Sequence, residues 1–173
     1  ENALAALLAC RRYGLSMEEI KTALSTYKGV RRRFDIRITK DDKIYIDDYA
    51  HHPKELESTI KAAREMYPGK SICGIFQPHL FSRTRDFADD FADSLDLLDE
   101  LGLMEIYPAR ELPIEGIDSQ YLLDKVSISN KTLVAWDDVA SFAKKSTAEV
   151  ILSLGAGDID RHINHIEKAL LQE

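Results

Sequence analysis

The chain has 173 residues, 45% of them apolar, which is enough for one well-buried core and too few for two domains without strain. Its net charge of −7 argues against a nucleic-acid backbone or an anionic membrane as the main partner, because either needs a basic face. No apolar run approaches the roughly 20 residues of a membrane span, no basic-then-apolar leader opens the chain, and Cys10 and Cys73 lack CxxC spacing, so a soluble protein of the reducing cytoplasm is expected, with both thiols as small core residues.

The opening ENALAALLACRRYG starts without Met and already inside a helical pattern, which reads as a piece of a longer protein. An Ala/Leu-rich helix runs to Gly14, a residue suited to the left-handed position past a helix end. Ser16 and Glu19 form a capping box for a second helix carrying Met17, Ile20, Leu24 and Tyr27, and Gly29 closes this short pair. From Phe34 the period drops to two: Phe34, Ile36 and Ile38 alternate with charges, TKDD turns the chain, and Ile44 and Ile46 alternate again, which predicts a hairpin. Pro53 suits the first turn of a helix whose Leu56, Ile60 and Ala63 share a face. Strands and helices then alternate: SICGIF, DFADDFADSLDLL, GLMEIY, SQYLLDKV, TLVAW, DDVASFAKK, EVILSL and DIDRHINHIEKALL. Such units imply an α/β fold, a mainly parallel sheet with helices on both faces.

Ligands of such sheets bind beyond the carboxyl ends of the strands, where this chain places DDYAHHP, QPHLFSRT, YPARELP, Trp136-Asp137 and GAGD. The first two are dense in titratable groups. Adjacent side chains at a helix start diverge, so of His51 and His52 one reaches a shared ligand, and His51 is favoured. His79, Ser82 and Arg83 read either as a polar loop with a helix cap or, given the stiffening Pro78, as donors for a small carboxylate. Arg31 to Arg33 is a solvated charge run or supplies a guanidinium to a nucleotide. Gly69-Lys70-Ser71 precedes its strand and lacks the first glycine of a phosphate loop, and Asp160 stands where a dinucleotide fingerprint needs glycine. GAGD is then a tight turn, structural or in contact with an anion or closing partner. His162 and His165, three apart, read as solvent-exposed because no carboxylate or thiol completes a ligand set.

NALAALLA, GVRRRF, DDYAHHP, FQPHLFSRT, IYPARELPIEG and LGAGDI together resemble, nearly end to end, the C-terminal domain of the Mur ligases, the family that builds the peptidoglycan stem peptide. DDYAHHP with FQPH and SRT is most similar to the branch that joins L-alanine to UDP-N-acetylmuramate; the branch that attaches a whole tripeptide differs at FQPHLFSRT. The resemblance implies a Rossmann-like sheet of about six strands, one of them antiparallel, and a single domain over residues 1–173 that closes on a UDP-sugar domain and a central ATPase domain. It implies a ligation in two steps: ATP phosphorylates the lactyl carboxylate, and the amine of L-alanine attacks the acyl phosphate. ATP and Mg2+ belong to the whole enzyme, with the phosphate and Mg2+ ligands mainly on the central domain and no metal site in this chain. By resemblance, Asn2, Arg33 and Asp48 reach the adenosine, Asp48 at the ribose and Arg33 against the base. Tyr49, His51, His79 and Arg83 hold alanine, with Arg83 on its carboxylate and His51, the catalytic candidate, near the amine and acyl phosphate. The chain departs from the family pattern at Leu80, where many relatives carry a second arginine, and at Arg110, where many carry glycine. The competing readings are the tripeptide-attaching ligase and a stand-alone binding module for a nucleotide or amino acid.

Overall fold

The computed structural model describes residues 2–40 and 42–172, the side chain of Asn2 excepted. Two compact units form, one up to Val30 and one from Arg31. The division falls where helical periodicity gives way to strand alternation.

In the first unit, α1 (Asn2–Arg12) ends in a turn at Gly14, whose φ of 97° suits a residue without Cβ. Helix α2 (Met17–Thr26) starts at Ser16, whose hydroxyl accepts the Glu19 amide at 3.2 Å while the Glu19 carboxylate accepts the Ser16 amide at 2.8 Å. Leu4, Leu8, Leu24 and Tyr27 lie exposed.

The second unit is a six-stranded sheet of order β1-β2-β6-β3-β4-β5. β1 (Asp35–Thr39) pairs antiparallel with β2 (Ile44–Asp48), with a bulge between Ile36 and Ile38. All other pairings are parallel: β2 and β3 (Ile72–Phe76) both flank β6 (Val150–Leu154), and β4 (Glu100–Leu103) and β5 (Lys131–Leu133) follow β3. β3 and β6 have a neighbour on each edge and helices on each face, so every residue in them is buried, which is why they read as unbroken apolar runs.

Alternation along the strands sends side chains to two cores. On one face Ile44, Ile46, Ile72, Phe76, Leu152 and Leu154 pack with Leu56 and Ile60 of α3 (Pro53–Met66), Phe91 and Leu95 of α5 (Ala88–Leu95) and Leu122 of α6 (Ser119–Lys125). On the other, Tyr45, Cys73, Ile75 and Ile151 meet Val139 and Ala143 of α7 (Val139–Lys145) and Ile163 and Ile166 of α8 (Ile163–Leu171). Each fully buried Ile or Leu contributes about 1.5–3 kcal/mol relative to exposure.

Three elements differ from the sequence expectation. The segment FSRT is helical, forming α4 (Phe81–Asp86), and the expected helix from Asp86 breaks at Phe87 before α5. Beyond β4 the chain leaves the regular strand yet keeps pairing with the exit of β3: Met104 N donates to Phe76 O at 2.9 Å, Tyr107 N to Pro78 O at 2.8 Å and Leu80 N to Tyr107 O at 2.9 Å. The terminal helix begins as a 3-10 turn over Asp158–His162, because Gln77 captures its first groups. No helix among the described residues is long and apolar enough to cross a membrane.

Candidate functional site

The site stands on a buried polar base. Tyr45, Asp47 and Ser153 project from β2 and β6 to the α7/α8 face, and Asp47 and Ser153 are fully buried. The Ser153 hydroxyl donates to Asp47 Oδ1 at 2.6 Å, so the Tyr45 phenol, 2.8 Å away, donates to Ser153 Oγ. Burial pushes the Asp47 carboxyl above the usual carboxylate range, opposed by the Ser153 hydrogen bond and the Arg32 guanidinium. Arg32 donates from Nε to Asp47 at 3.2 Å and from Nη2 to Gly155 O at 2.6 Å, approaches Asp160 at 3.7 Å, and lies 5.1 Å from the centroid of Tyr49. One guanidinium therefore ties the exit of β2, the turn after β6 and an aromatic wall together.

On this base the loops after β2 and β3 converge. Tyr49 meets His51 edge to face at 5.3 Å, His51 meets His79 at 6.0 Å, and His79 stacks on Tyr107 at 5.6 Å with an interplanar angle of 24°. Arg83 Nη1 donates to His51 O at 3.5 Å, from the first turn of α4. Tyr49, His51, His79 and Arg83 thus form one cluster at the carboxyl edge of the sheet. Burial, then the charges of Arg83 and His51, lowers the pKa of His79, and its Nδ1 is buried with no partner. His51 Nδ1 lies 3.0 Å from Tyr49 O and 3.2 Å from Glu55 Oε2, and Glu55 also accepts the amides of His51 and His52 at 3.0 and 3.2 Å. Burial opposes it, yet those amides and the neighbouring imidazoles hold the Glu55 carboxyl below its ordinary range.

Asp48 turns its carboxylate to the backbone. Oδ2 accepts Phe34 N at 2.6 Å and Oδ1 accepts Ala50 N at 2.7 Å, with the Thr59 side chain as a further donor. Burial pushes its pKa up despite these bonds. Phe34 and Arg32 occupy the left-handed region at φ 47° and 58°, and the Asp48 bond helps hold that bend. Arg33 is exposed beside it, and the side chain of Asn2 lies outside the described residues. The two imidazoles of the motif diverge: His52 packs on Phe87 at 4.9 Å and lines a groove of about 340 Å³ with Pro53, Lys54 and Asp90.

Leu80 adopts φ 74° ahead of α4, and Arg110 is exposed. Its neighbour Glu111 accepts both the amide and the hydroxyl of Ser82, capping α4 from a distant loop. The GAGD turn is packed shut, since a Cβ on Gly157 would lie 2.4 Å from Gln77 Oε1 and 2.7 Å from Tyr107 Cβ. Gln77 also accepts the Ile159 amide at 2.9 Å and donates to Asp158 at 2.8 Å. Contrary to expectation, His162 is buried, with Trp136 edge-on at 4.2 Å, and burial lowers its pKa; His165 is exposed. Among the described residues no group of three or more His, Cys, Asp or Glu could hold a metal ion.

Sequence reasoning gave no role to Asp47, Glu55, Gln77 or Tyr107 individually, and read Arg32 only as one of the Arg31 to Arg33 run. Only Glu55 carried a local signal, standing four residues after His51 and three after His52, at capping-box spacing.

The sequence profile of the family described as Mur ligase, glutamate ligase domain, matches residues 32–159. Similar curated proteins are the UDP-N-acetylmuramate--L-alanine ligases of Christiangramia forsetii, 52% identical over 99% of this chain, and Flavobacterium psychrophilum, 53% identical over 98%. The chain spans 38% of the length of each. Among solved structures, the UDP-N-acetylmuramate-alanine ligase of Thermotoga maritima superposes with a TM-score of 0.76 at 27% identity, covering 96% of this chain and 36% of that one. A murein peptide ligase of Psychrobacter arcticus shares the fold, with a TM-score of 0.67 at 22% identity over 98% of this chain and 36% of that one. The match across most of the sheet-forming unit, with the rim motifs on one edge, makes this chain a member of the Mur ligase family, carrying its glutamate ligase domain.

Proposed function

We propose that the chain is the amino-acid-binding, closing part of an ATP-dependent ligase that joins L-alanine to UDP-N-acetylmuramate in peptidoglycan synthesis. The observation that carries this reading is the convergence of Tyr49, His51, His79 and Arg83 on one rim, in a chain about half identical to ligases named for that reaction. The guanidinium of Arg83 holds the carboxylate of alanine, while Tyr49 and His79 wall the site and His51 stands near the amine. Geometry of this kind acts by positioning two reactants and neutralising charge, with little covalent chemistry from the protein.

The adenosine lies on the Asp48 side of the rim. A carboxylate offers about four lone-pair directions, and three donors occupy Asp48, which leaves one for a ribose hydroxyl. Exposed Arg33 lies against the base. ATP phosphates and Mg2+ are held by the enzyme's own central domain, the UDP-sugar by its N-terminal domain, and the work is cytoplasmic because its nucleotide substrates are.

In the full-length enzyme, Arg83→Ala raises the KM for alanine on the order of 10- to 100-fold and leaves the KM for ATP nearly unchanged. The expectation follows from losing a charge-assisted hydrogen bond of about 1.5–3 kcal/mol. Steady-state kinetics with each substrate varied in turn checks it, and equal effects on both substrates remove Arg83 from the alanine site.

A further inference from the structure

We propose that His51 and His79 enter the reaction as opposite neutral tautomers, His51 with its proton on Nδ1 and His79 with its proton on Nε2, and that Glu55 is the positioning residue that fixes the first. The cluster then presents one ring acceptor and one ring donor side by side. The structural part stands on the geometry of this chain, and its chemical consequence rests on the ligase reading.

For His51 the argument is a count of acceptors. Nδ1 lies 3.0 Å from the Tyr49 carbonyl and 3.2 Å from Glu55 Oε2. Neither offers a proton, since a carbonyl only accepts and the Glu55 carboxyl is held ionised by two backbone amides of the α3 start. A lone pair on Nδ1 would face two oxygens, so Nδ1 carries hydrogen, and in the neutral ring the lone pair then sits on Nε2. Glu55 does not move to serve the imidazole. Its place is set by the His51 and His52 amides it accepts, so helix capping and tautomer selection are one contact.

For His79 the argument is an orphan. Nδ1 is buried and has no partner, while Tyr107 stacks on one face of the ring and its backbone pairs with Pro78 and Leu80 on either side. A buried N–H without an acceptor is rarer and costlier than a buried lone pair without a donor, so Nδ1 takes the lone pair and Nε2 takes the hydrogen. Burial and the Arg83 charge, which lower the pKa of this ring, keep it neutral.

The consequence for the ligation is a division of labour. Alanine arrives as an ammonium ion, and His51 Nε2 takes one of its protons to become imidazolium. The freed amine attacks the acyl carbon, forming the C–N bond and a tetrahedral oxyanion. Collapse breaks the bond from that carbon to the phosphate oxygen, phosphate leaves with the electron pair, and the surplus proton on nitrogen goes with it. His79 Nε2–H donates to the alanine carboxylate without adding a second positive charge beside Arg83.

The test is a long-range proton–nitrogen NMR correlation on the nitrogen-15-labelled chain at pH about 8, above the ordinary imidazole value of about 6.5. His51→Gln and His79→Gln assign the signals. The expected result is a protonated Nδ1 with a bare Nε2 for His51 and the reverse for His79; the same tautomer in both rings overturns the proposal. Glu55→Ala, which removes the oxygen facing Nδ1, should bring the Nε2–H form of His51 into the spectrum and leave His79 as it was. An unchanged His51 would take Glu55 out of the role. In the full-length enzyme, His79→Gln places an amide hydrogen near the Nε2 position and His79→Asn near Nδ1, so the Gln variant keeps an alanine KM about tenfold lower than the Asn variant, the value of one hydrogen bond. The reverse order overturns the donor assignment. Unchanged KM values in both variants remove His79 from the alanine carboxylate; if the spectra show opposite tautomers and the full-length enzyme does not ligate alanine, the pairing stands and the ligase reading falls.

Discussion

Arg32 shows how much one residue of a charge run can hold. Its guanidinium is mostly buried, and it faces Asp47, which has no exposure at all and no other cation beside it among the described residues. Removing one partner of a buried ion pair typically costs about 3–5 kcal/mol, because the remaining charge keeps its desolvation penalty. Arg32→Met is therefore expected to destabilise the fold by about that amount at neutral pH, and Asp47→Asn added to it should restore part of the loss. The pH dependence has a definite sign. Asp47 already has a raised folded pKa, and losing Arg32 raises it further, so the folded state binds its proton more readily than the unfolded state. The Arg32→Met deficit should then be greatest near neutrality and shrink as pH falls through the folded pKa of Asp47. Urea unfolding of both variants across pH measures this; a deficit under about 1 kcal/mol, or one that grows in acid, would show that Asp47 does not depend on Arg32.

At the scale of elements, the exits of β3, β4 and β6 are interlocked. Gly157 closes on Tyr107 and Gln77, Tyr107 stacks on His79, and the backbones of Pro78, Leu80 and Tyr107 pair beyond the sheet. Gly157→Ala forces a methyl group to within 2.4 Å of Gln77 Oε1, so it should cost about 1–3 kcal/mol, seen as a Tm lower by roughly 2–12 °C. The alanine should also move the His79 ring signals, since Tyr107 must shift; a variant with wild-type Tm and an unmoved His79 would mean the turn has slack. This interlock marks the limit of what the sequence discloses. The strands β2, β3 and β6 were legible as apolar runs, the hairpin as alternation, and the edge that carries the site followed from parallel topology. What stayed hidden depends on strand order: β6 lies between β2 and β3, and that alone brings Asp47 to Ser153, 106 residues apart, and Gln77 to Asp158, 81 apart. Helix α4 was missed for a related reason. FSRT is short and polar, and its start is fixed by Leu80 at positive φ and by Glu111, 29 residues beyond Ser82. The rim histidines and Arg83 were legible by type and place, but the choice of nitrogen on each ring required the neighbours that only the fold supplies.

At the scale of the whole molecule, the two edges of the sheet divide the chemistry. The carboxyl edge gathers the imidazoles, Arg83 and Asp48, while the one triplet that looks like a phosphate loop lies before β3, on the opposite edge. There Gly69 turns at φ 80°, Lys70 Nζ donates to Glu149 at 2.7 Å, and Ser71 N donates to the same carboxylate at 3.2 Å. That lysine is committed to an acid at the start of β6 and is far in topology from any nucleoside on the rim. Phosphoryl transfer depends on a backbone cradle and metal ions that bridge and neutralise the phosphates, and among the described residues no group of three or more His, Cys, Asp or Glu could hold such an ion. Under the proposed function the chain supplies part of the adenosine site and part of the alanine site, so free ligands should bind weakly against the loss of translational and rotational freedom. The purified 173-residue chain should therefore fold cooperatively yet release no phosphate from ATP, with or without L-alanine and Mg2+, whereas the proposed function requires the full-length enzyme to do so when UDP-N-acetylmuramate and alanine are both present. A phosphate-release assay against a heat-inactivated control decides the matter. Turnover by the chain alone would place a complete phosphate site on this rim and overturn the division between the two edges.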